Sequence, residues 1–401
     1  MILVVHGQDN SCVKMNFEQE YTRTRFRPRL VHSRRNDWKQ KGAGRMAAIR
    51  AGVVGFGLAG QVFHAPMIDA VDGLELAAVV ERSRREAETR YPGIRTCSSL
   101  EAMLEDKSLE LIVIATPNHA HASLAKQALA AGRHVVVDKP VGNSSEEIAA
   151  MMAAARANGR KLIPYHNRRF DGDFMTLRGL LREQALGNVV HFESTFDRWR
   201  PTPKPEVWRD AGGAGTGTLL DLGTHLVDQI VQLFGLPEAV SAEVLAERAN
   251  ARAVDSFTVR MHYPGLVATA SANCLSAQPR PRYRVRGSMG DFVKWGLDPQ
   301  EERLRANGSK VTNDLGVEAE SAWGVLAVER NGEVRKQSIA TVAGDYRLYY
   351  AGVRDALLGI AAPPVTALEA WRVARILEMA EESARAQRWV ECDWTNEPTA
   401  L

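Results

Sequence analysis

The stretch Ile49-Arg50-Ala51-Gly52-Val53-Val54-Gly55-Phe56-Gly57-Leu58-Ala59-Gly60 decides the fold. An apolar run enters GxGxxG and leaves it in a helical segment, the strand-turn-helix setting in which such glycines have a physical purpose. Gly55 permits the tight turn, Gly57 lets the backbone approach a pyrophosphate, and Gly60 lets helix and strand pack closely. The helix N-terminus stabilises the negative charge. Glycines in such a turn also serve packing alone, so the next strand is informative. It ends at Glu81, 21 residues beyond Gly60, close to the offset of about 20 at which an acid bonds the adenosine ribose hydroxyls. The stretch predicts a dinucleotide site built from Gly55, Phe56, Gly57, Leu58, Ala59, Gly60, Glu81 and Arg82.

Outward from this turn, short apolar runs alternate with helical segments: Ala51–Gly55, Leu74–Val80, Leu109–Ala115, His134–Val137 and Lys161–Tyr165, with helices at His121–Ala131 and Ser144–Ala157. Several runs are apolar throughout, as strands buried on both faces are. The pattern predicts an α/β chain opening with a parallel sheet covered by helices. After Phe170 come a helix, a strand at Val189–Phe196, a Pro/Trp-rich loop, and a helix from about Gly217 to Phe234. Several β-rich runs with short turns follow, and two helices close the chain. Successive strands on short turns predict a largely antiparallel open sheet. The expected division is a basic disordered extension over 1–45, a Rossmann dinucleotide-binding domain over 46–170, and a C-terminal α/β domain over 171–401.

Charge supports that division. The chain has 51 Lys and Arg and 48 Asp and Glu, a formal +3. Residues 1–45 hold ten bases against four acids, leaving 41 bases and 44 acids in the rest. The folded body is mildly acidic, which argues against nucleic acid as a partner. No run approaches the roughly 18 apolar residues of a membrane span. The four cysteines are far apart with no Cys/His ligand spacing, so neither a disulfide framework nor a metal site is expected and a cytoplasmic setting fits. Met46 stands directly before the first strand and is a natural translation start.

Two places carry chemistry. His134–Val137 ends in Asp138-Lys139-Pro140, and ligands of open parallel sheets lie outside the carboxyl ends of the strands. Lys139 is therefore aimed where a nicotinamide would lie, against the commoner fate of a solvent-facing lysine. Ala115-Thr116-Pro117-Asn118 approaches the same edge and would contact the cofactor ribose. The second place is Thr218–Phe234, where Asp221, His225, Asp228 and Gln232 form a polar stripe on an otherwise apolar helix at 3.6 residues per turn. Such a helix is expected to be buried, and its carboxylates then need partners. Either Asp221 and His225 form a structural pair, or Asp221 orients a histidine that works as a general acid/base.

The strand-turn Gly55–Gly60, the run Ala115-Thr116-Pro117-Asn118 with His121, the triplet Asp138-Lys139-Pro140, and Asp221-x-Gly223-x-His225 occur in this order. Together they resemble the glucose-fructose oxidoreductase/inositol dehydrogenase/rhizopine catabolism (Gfo/Idh/MocA) family, from Ile49 to the C-terminus. Tyr165-His166-Asn167-Arg168-Arg169-Phe170, Phe196-Asp197-Arg198-Trp199-Arg200-Pro201 and Gly215-Thr216-Gly217-Thr218 are similar to the branch holding scyllo-inositol dehydrogenases. The resemblance implies Lys139, Asp221 and His225 as catalytic trio, and Thr116, Pro117, Asn118, His121 and Lys139 at the cofactor. Asn167, Arg169 and Trp208 become substrate contacts beside Asp221 and His225. It implies an NAD(P)-dependent dehydrogenase of CH-OH groups on a polyol or sugar, assembled as a homodimer or homotetramer. Asp138 departs from the family's usual Glu. NAD is expected over NADP, from Glu81. The rival readings are a non-catalytic dinucleotide sensor of the same fold and hydride transfer on a non-sugar such as a dihydrodiol.

Overall fold

A computed structural model describes residues 48–82, 85–207, 209–213 and 215–400. The opening segment expected to be disordered, Met46 and Trp208 lie outside the described residues. Six strands form a parallel sheet: β1 (Ile49–Val54), β2 (Leu74–Val80), β3 (Arg95–Cys97), β4 (Leu111–Ile114), β5 (His134–Val137) and β6 (Leu162–Pro164). Their order is β3-β2-β1-β4-β5-β6. The central strands are buried on both faces, which is why they read as unbroken Val, Ile and Leu. The order reverses between β1 and β4, so a crevice opens at their carboxyl ends, the place where such sheets take ligands. Gly55 and Thr116 stand there.

The second sheet has nine strands: β7 (Val189–Thr195), β8 (Ala239–Leu245), β9 (Ser256–Tyr263), β10 (Leu266–Asn273), β11 (Tyr283–Gly287), β12 (Gly290–Lys294), β13 (Gly324–Arg330), β14 (Glu333–Ile339) and β15 (Val390–Glu391). They run in the order β14-β13-β12-β11-β7-β10-β9-β8-β15, antiparallel except where β7 meets β10. The mixed α/β architecture is the expected one. Sequence reading passed over β3, β8, β14 and β15, and for a shared reason. β3 and β15 are very short, β8 carries Ala and Glu, and β14 is exposed along almost its whole length. Strands near a sheet edge carry charge that blocks further pairing, at the cost of the alternation by which strands are found.

One helix serves both sheets. Helix Ala367–Ala386 begins in a capping box, with Thr366 Oγ1 accepting from Glu369 N at 3.2 Å and Glu369 Oε2 accepting from Thr366 N at 2.7 Å. Its Val373, Ile376, Leu377 and Met379 complete the core over the antiparallel sheet, whereas Ala367, Ala370 and Trp371 join the core over the parallel one. Tyr346, Tyr349, Tyr350 and Val353, from the turn before helix Arg347–Leu357 and from that helix, pack on the parallel sheet's other face. Residues far along the chain thus finish the core that Ile49 begins.

Candidate active site

The glycine turn has the shape its sequence demands. Gly55 adopts φ +98°, and a Cβ there would lie 2.7 Å from the Ala115 carbonyl oxygen, so only glycine fits. At Gly60 a Cβ would run into the Gly55 carbonyl, whereas at Gly57 it would meet nothing within 4 Å. The first and third glycines are fixed by packing, and the second leaves open the side from which a pyrophosphate would approach. The chain then turns into a helix from Leu58 to Asp69 that contains the π-helical turn Gly60–His64. At the end of β4, Thr116 Oγ1 is buried without a hydrogen-bond partner among the described residues. An open backbone cradle and an orphaned hydroxyl at one crevice fit a dinucleotide.

Three expected cofactor contacts are occupied otherwise. Glu81 Oε1 accepts from Glu86 N at 3.2 Å and Oε2 from Ala87 N at 3.1 Å, so its carboxylate sits at the start of helix Glu86–Arg90. It stabilises the helix end, and Arg82 and Arg85 stand exposed nearby. His121 places Nδ1 2.8 Å from the Pro140 oxygen and Nε2 2.8 Å from the Thr116 oxygen. A neutral ring has one N–H, so it donates to one of these carbonyls and packs its other nitrogen against the second; wedged between the exits of β4 and β5, it corrects the expectation of a cofactor ligand. Burial pushes the His121 pKa down against the pull of Asp138 and the two carbonyls. Asn118 Nδ2 donates to Asn143 Oδ1 at 2.9 Å and to the Gly215 oxygen at 2.5 Å, pinning the loop 215–217 to the parallel sheet.

Lys139 leaves the end of β5 and meets Asp221. Its Nζ donates to Asp221 Oδ1 at 2.7 Å and to the Asp221 carbonyl at 3.0 Å. Asp221 also faces Arg198 at 3.5 Å and Arg209 at 3.7 Å. Burial raises the Asp221 pKa, but Lys139, Arg198 and Arg209 together outweigh burial and hold the carboxyl well below the usual range. Asp138, behind the lysine, accepts from its backbone N at 2.7 Å and lies 3.6 Å from His64 Nε2. The shorter acid therefore fixes the strand exit.

No hydrogen bond joins Asp221 to His225, so the expected Asp-oriented histidine is not formed. Leu219–Gly223 is a π-helical turn and the regular helix starts only at Thr224. The Asp221 carboxylate is taken up instead by Lys139, Arg198 and Arg209. His225 is buried, its Nδ1 has no partner among the described residues, and burial followed by Lys139, Arg168 and His166 pushes its pKa well below 6.5. The ring is neutral at physiological pH, with a nitrogen to spare.

The remaining sites divide clearly. Arg169, expected at the substrate, gives Nε and Nη2 to Asp228 at 2.8 and 2.6 Å and Nη1 to Glu369 and the Pro364 oxygen at 3.1 and 3.3 Å. Its buried guanidinium is a structural tie, and Asp228 of the polar stripe is its counter-ion. Gln232 also belongs to this tie, donating to Glu369 at 2.8 Å. Asn167 opens the short turn Asn167–Phe170 and its amide has no hydrogen bond among the described residues. Sequence reading missed Arg168, which stands over the Phe196 ring at 5.0 Å, and Arg198, over the same ring at 4.7 Å. The Arg-rich motifs that contain them were the available signal.

Two family descriptions match: "Oxidoreductase family, NAD-binding Rossmann fold" over residues 49–166 and "GFO/IDH/MocA C-terminal domain" over 174–293. The chain is 41% identical over 338 residues to the uncharacterized oxidoreductase YdgJ of Escherichia coli, covering 84% of this chain and 96% of that one. It is 35% identical over 350 residues to scyllo-inositol 2-dehydrogenase (NADP(+)) IolW of Bacillus subtilis, covering 87% and 98%. The solved structure of the oxidoreductase YvaA from Bacillus subtilis superposes with a TM-score of 0.84 at 34% identity, over 87% of this chain and 99% of that one.

Proposed function

The chain belongs to the Gfo/Idh/MocA oxidoreductase family, and from that premise we propose that it oxidises a secondary alcohol of an inositol-like polyol or sugar. The observation that carries the reading is Lys139 at the end of β5, with two of its three ammonium hydrogens directed at Asp221 and one left over. NAD(P), which the Gly55–Gly60 backbone would hold, would supply the acceptor for the hydride. The protein handles the proton. His225, held neutral by burial and the cations around it, takes the hydroxyl proton as the carbonyl forms. Lys139 donates to the same oxygen and stabilises its developing negative charge, while Asp221 holds the ammonium in place.

The histidine's environment sets a pH expectation. A base must be deprotonated to act, and a pKa pushed below 6.5 keeps it so in more acid solution. The acid limb of kcat/KM for alcohol oxidation is expected well below pH 6.5. A limb centred at 6.5 would show that His225 behaves as an ordinary imidazole.

NAD is the preferred cofactor in this reading. The Glu81 side chain stands at the end of β2, where a carboxylate opposes the 2′-phosphate of NADP. Arg82 and Arg85 favour that phosphate from the exposed loop, but the Glu81 bonds to Glu86 N and Ala87 N keep the carboxylate in place. A panel of inositols and sugars with each cofactor, read by absorbance of the reduced nicotinamide, tests both points. No reduction with any polyol overturns the function, and a larger kcat/KM with NADP overturns the preference. Glu81→Ser is expected to move the ratio toward NADP, and an unchanged ratio would remove Glu81 from cofactor choice. A cytoplasmic homodimer or homotetramer completes the proposal, supported by Val190, Val325 and Val334 standing exposed on the antiparallel sheet.

A further inference from the structure

Positive charge gathers where the substrate would sit. Around Asp221 stand Lys139, Arg198 and Arg209, while the nearby His225 is neutral. Arg198 also lines a cavity of about 760 Å³ beside that cluster, and this cavity is bordered by six arginines against four carboxylates. Arg198 therefore connects the Lys139–Asp221 pair to a second region with an excess of two positive charges.

Most of those arginines are spoken for. Arg168 donates to Asp171 and Glu301, Arg280 to Asp197 through both Nε and Nη2, Arg282 to Ser194, the Thr195 oxygen and Gln229, and Arg305 to Glu301. Two differ. Arg198 lies over Phe196 with its nearest carboxylate oxygen at 3.5 Å, and among the described residues its guanidinium makes no hydrogen bond. Arg200 is exposed, and among the described residues its side chain has neither hydrogen bond nor ion pair. Burial and then Arg200 hold the Arg198 guanidinium below its usual range, against the pull of Asp221. Guanidinium groups with unused donors match an oxyanion better than a neutral hydroxyl.

We propose that the substrate is an anionic polyol, a hydroxylated ring bearing a carboxylate or phosphate that Arg198 and Arg200 hold in the cavity beside Lys139 and Asp221. This rests on the hydride-transfer reading above and adds the charge of the substrate. A cavity of this size has room for a ring and its charged substituent together.

The test is binding of glucuronate, glucose 6-phosphate and glucose to the full-length protein saturated with reduced cofactor, measured by calorimetry. The alcohol then meets a cofactor that cannot accept its hydride, so affinity is read without turnover. At least one anion is expected to bind about ten- to a hundredfold more tightly than glucose, with the gap shrinking as salt rises. Glucose 6-phosphate ahead of glucuronate assigns a phosphate, and the reverse order a carboxylate. The Arg198→Gln/Arg200→Gln variant is expected to close the gap. Equal affinity for all three ligands overturns the proposal, and so does a gap that survives the double substitution. Failure of the hydride-transfer reading looks different: no polyol, charged or neutral, reduces the cofactor, while the affinity comparison still decides the charge preference.

Discussion

Lys139→Met is expected to lower kcat by about 10²–10³ on a verified substrate, the usual loss when one donor to a developing oxyanion is removed. Methionine keeps the length and apolar stem of lysine and removes only the ammonium. Asp221 then loses the donor at 2.7 Å but keeps Arg198 and Arg209 nearby, so the local fold has reason to persist. The glycine cradle leaves β1, two strands away from β5 in the sheet. Dinucleotide affinity, followed by fluorescence of the reduced cofactor, is therefore expected to stay near that of the unaltered protein. Turnover within tenfold of the unaltered protein would remove Lys139 from the chemistry. Parallel loss of dinucleotide affinity would make its role one of folding or binding.

Asp228→Ala is expected to cost about 3–5 kcal/mol of stability in urea unfolding, the typical penalty for stripping one partner from a buried charge pair. Arg169 and Asp228 are both almost fully buried and share two hydrogen bonds. The alanine variant would strand a guanidinium with Glu369, which is partly exposed, as its remaining acid. The linked pH dependence has a definite sign. Burial raises the Asp228 pKa, but Arg169 and His166 outweigh it and leave it below its usual 3.8. The contribution is fully present above that value and is lost as pH falls toward the depressed one. A variant within 1 kcal/mol of the unaltered protein would show that Glu369 alone balances Arg169.

The contrast between these two residues explains what could be read in advance. The position of Lys139 just past a strand end was legible because that strand is encoded locally, by Val135–Val137. Gly55 and Gly60 were legible for the same reason, since their constraints come from backbone within one strand-turn-helix. Asp228 and Arg169 were not, because they are 59 residues apart and nothing local distinguishes an arginine that binds a ligand from one that meets a buried acid. His121 was misread on similar grounds: both groups its ring meets are main-chain carbonyls, which any residue provides. The Asp221–His225 pairing failed because the carboxylate meets Lys139, 82 residues away along the chain. The four strands passed over are short or polar, so their pairing is set by neighbours in the sheet.

Helix Ala367–Ala386 has a consequence for protein engineering. Its Trp371 is packed with the parallel sheet and its Ile376 with the antiparallel one, fewer than two turns apart. A hybrid enzyme spliced from two relatives at Phe170 would inherit its nucleotide sheet from one parent and the Trp371 face of this helix from the other. Side chains that grew up apart would then meet in the interior. Splicing that carries Tyr346–Ala386 along with the nucleotide half preserves one interior and moves the mismatch to the Ile376 face, where it can be repaired on a single helix.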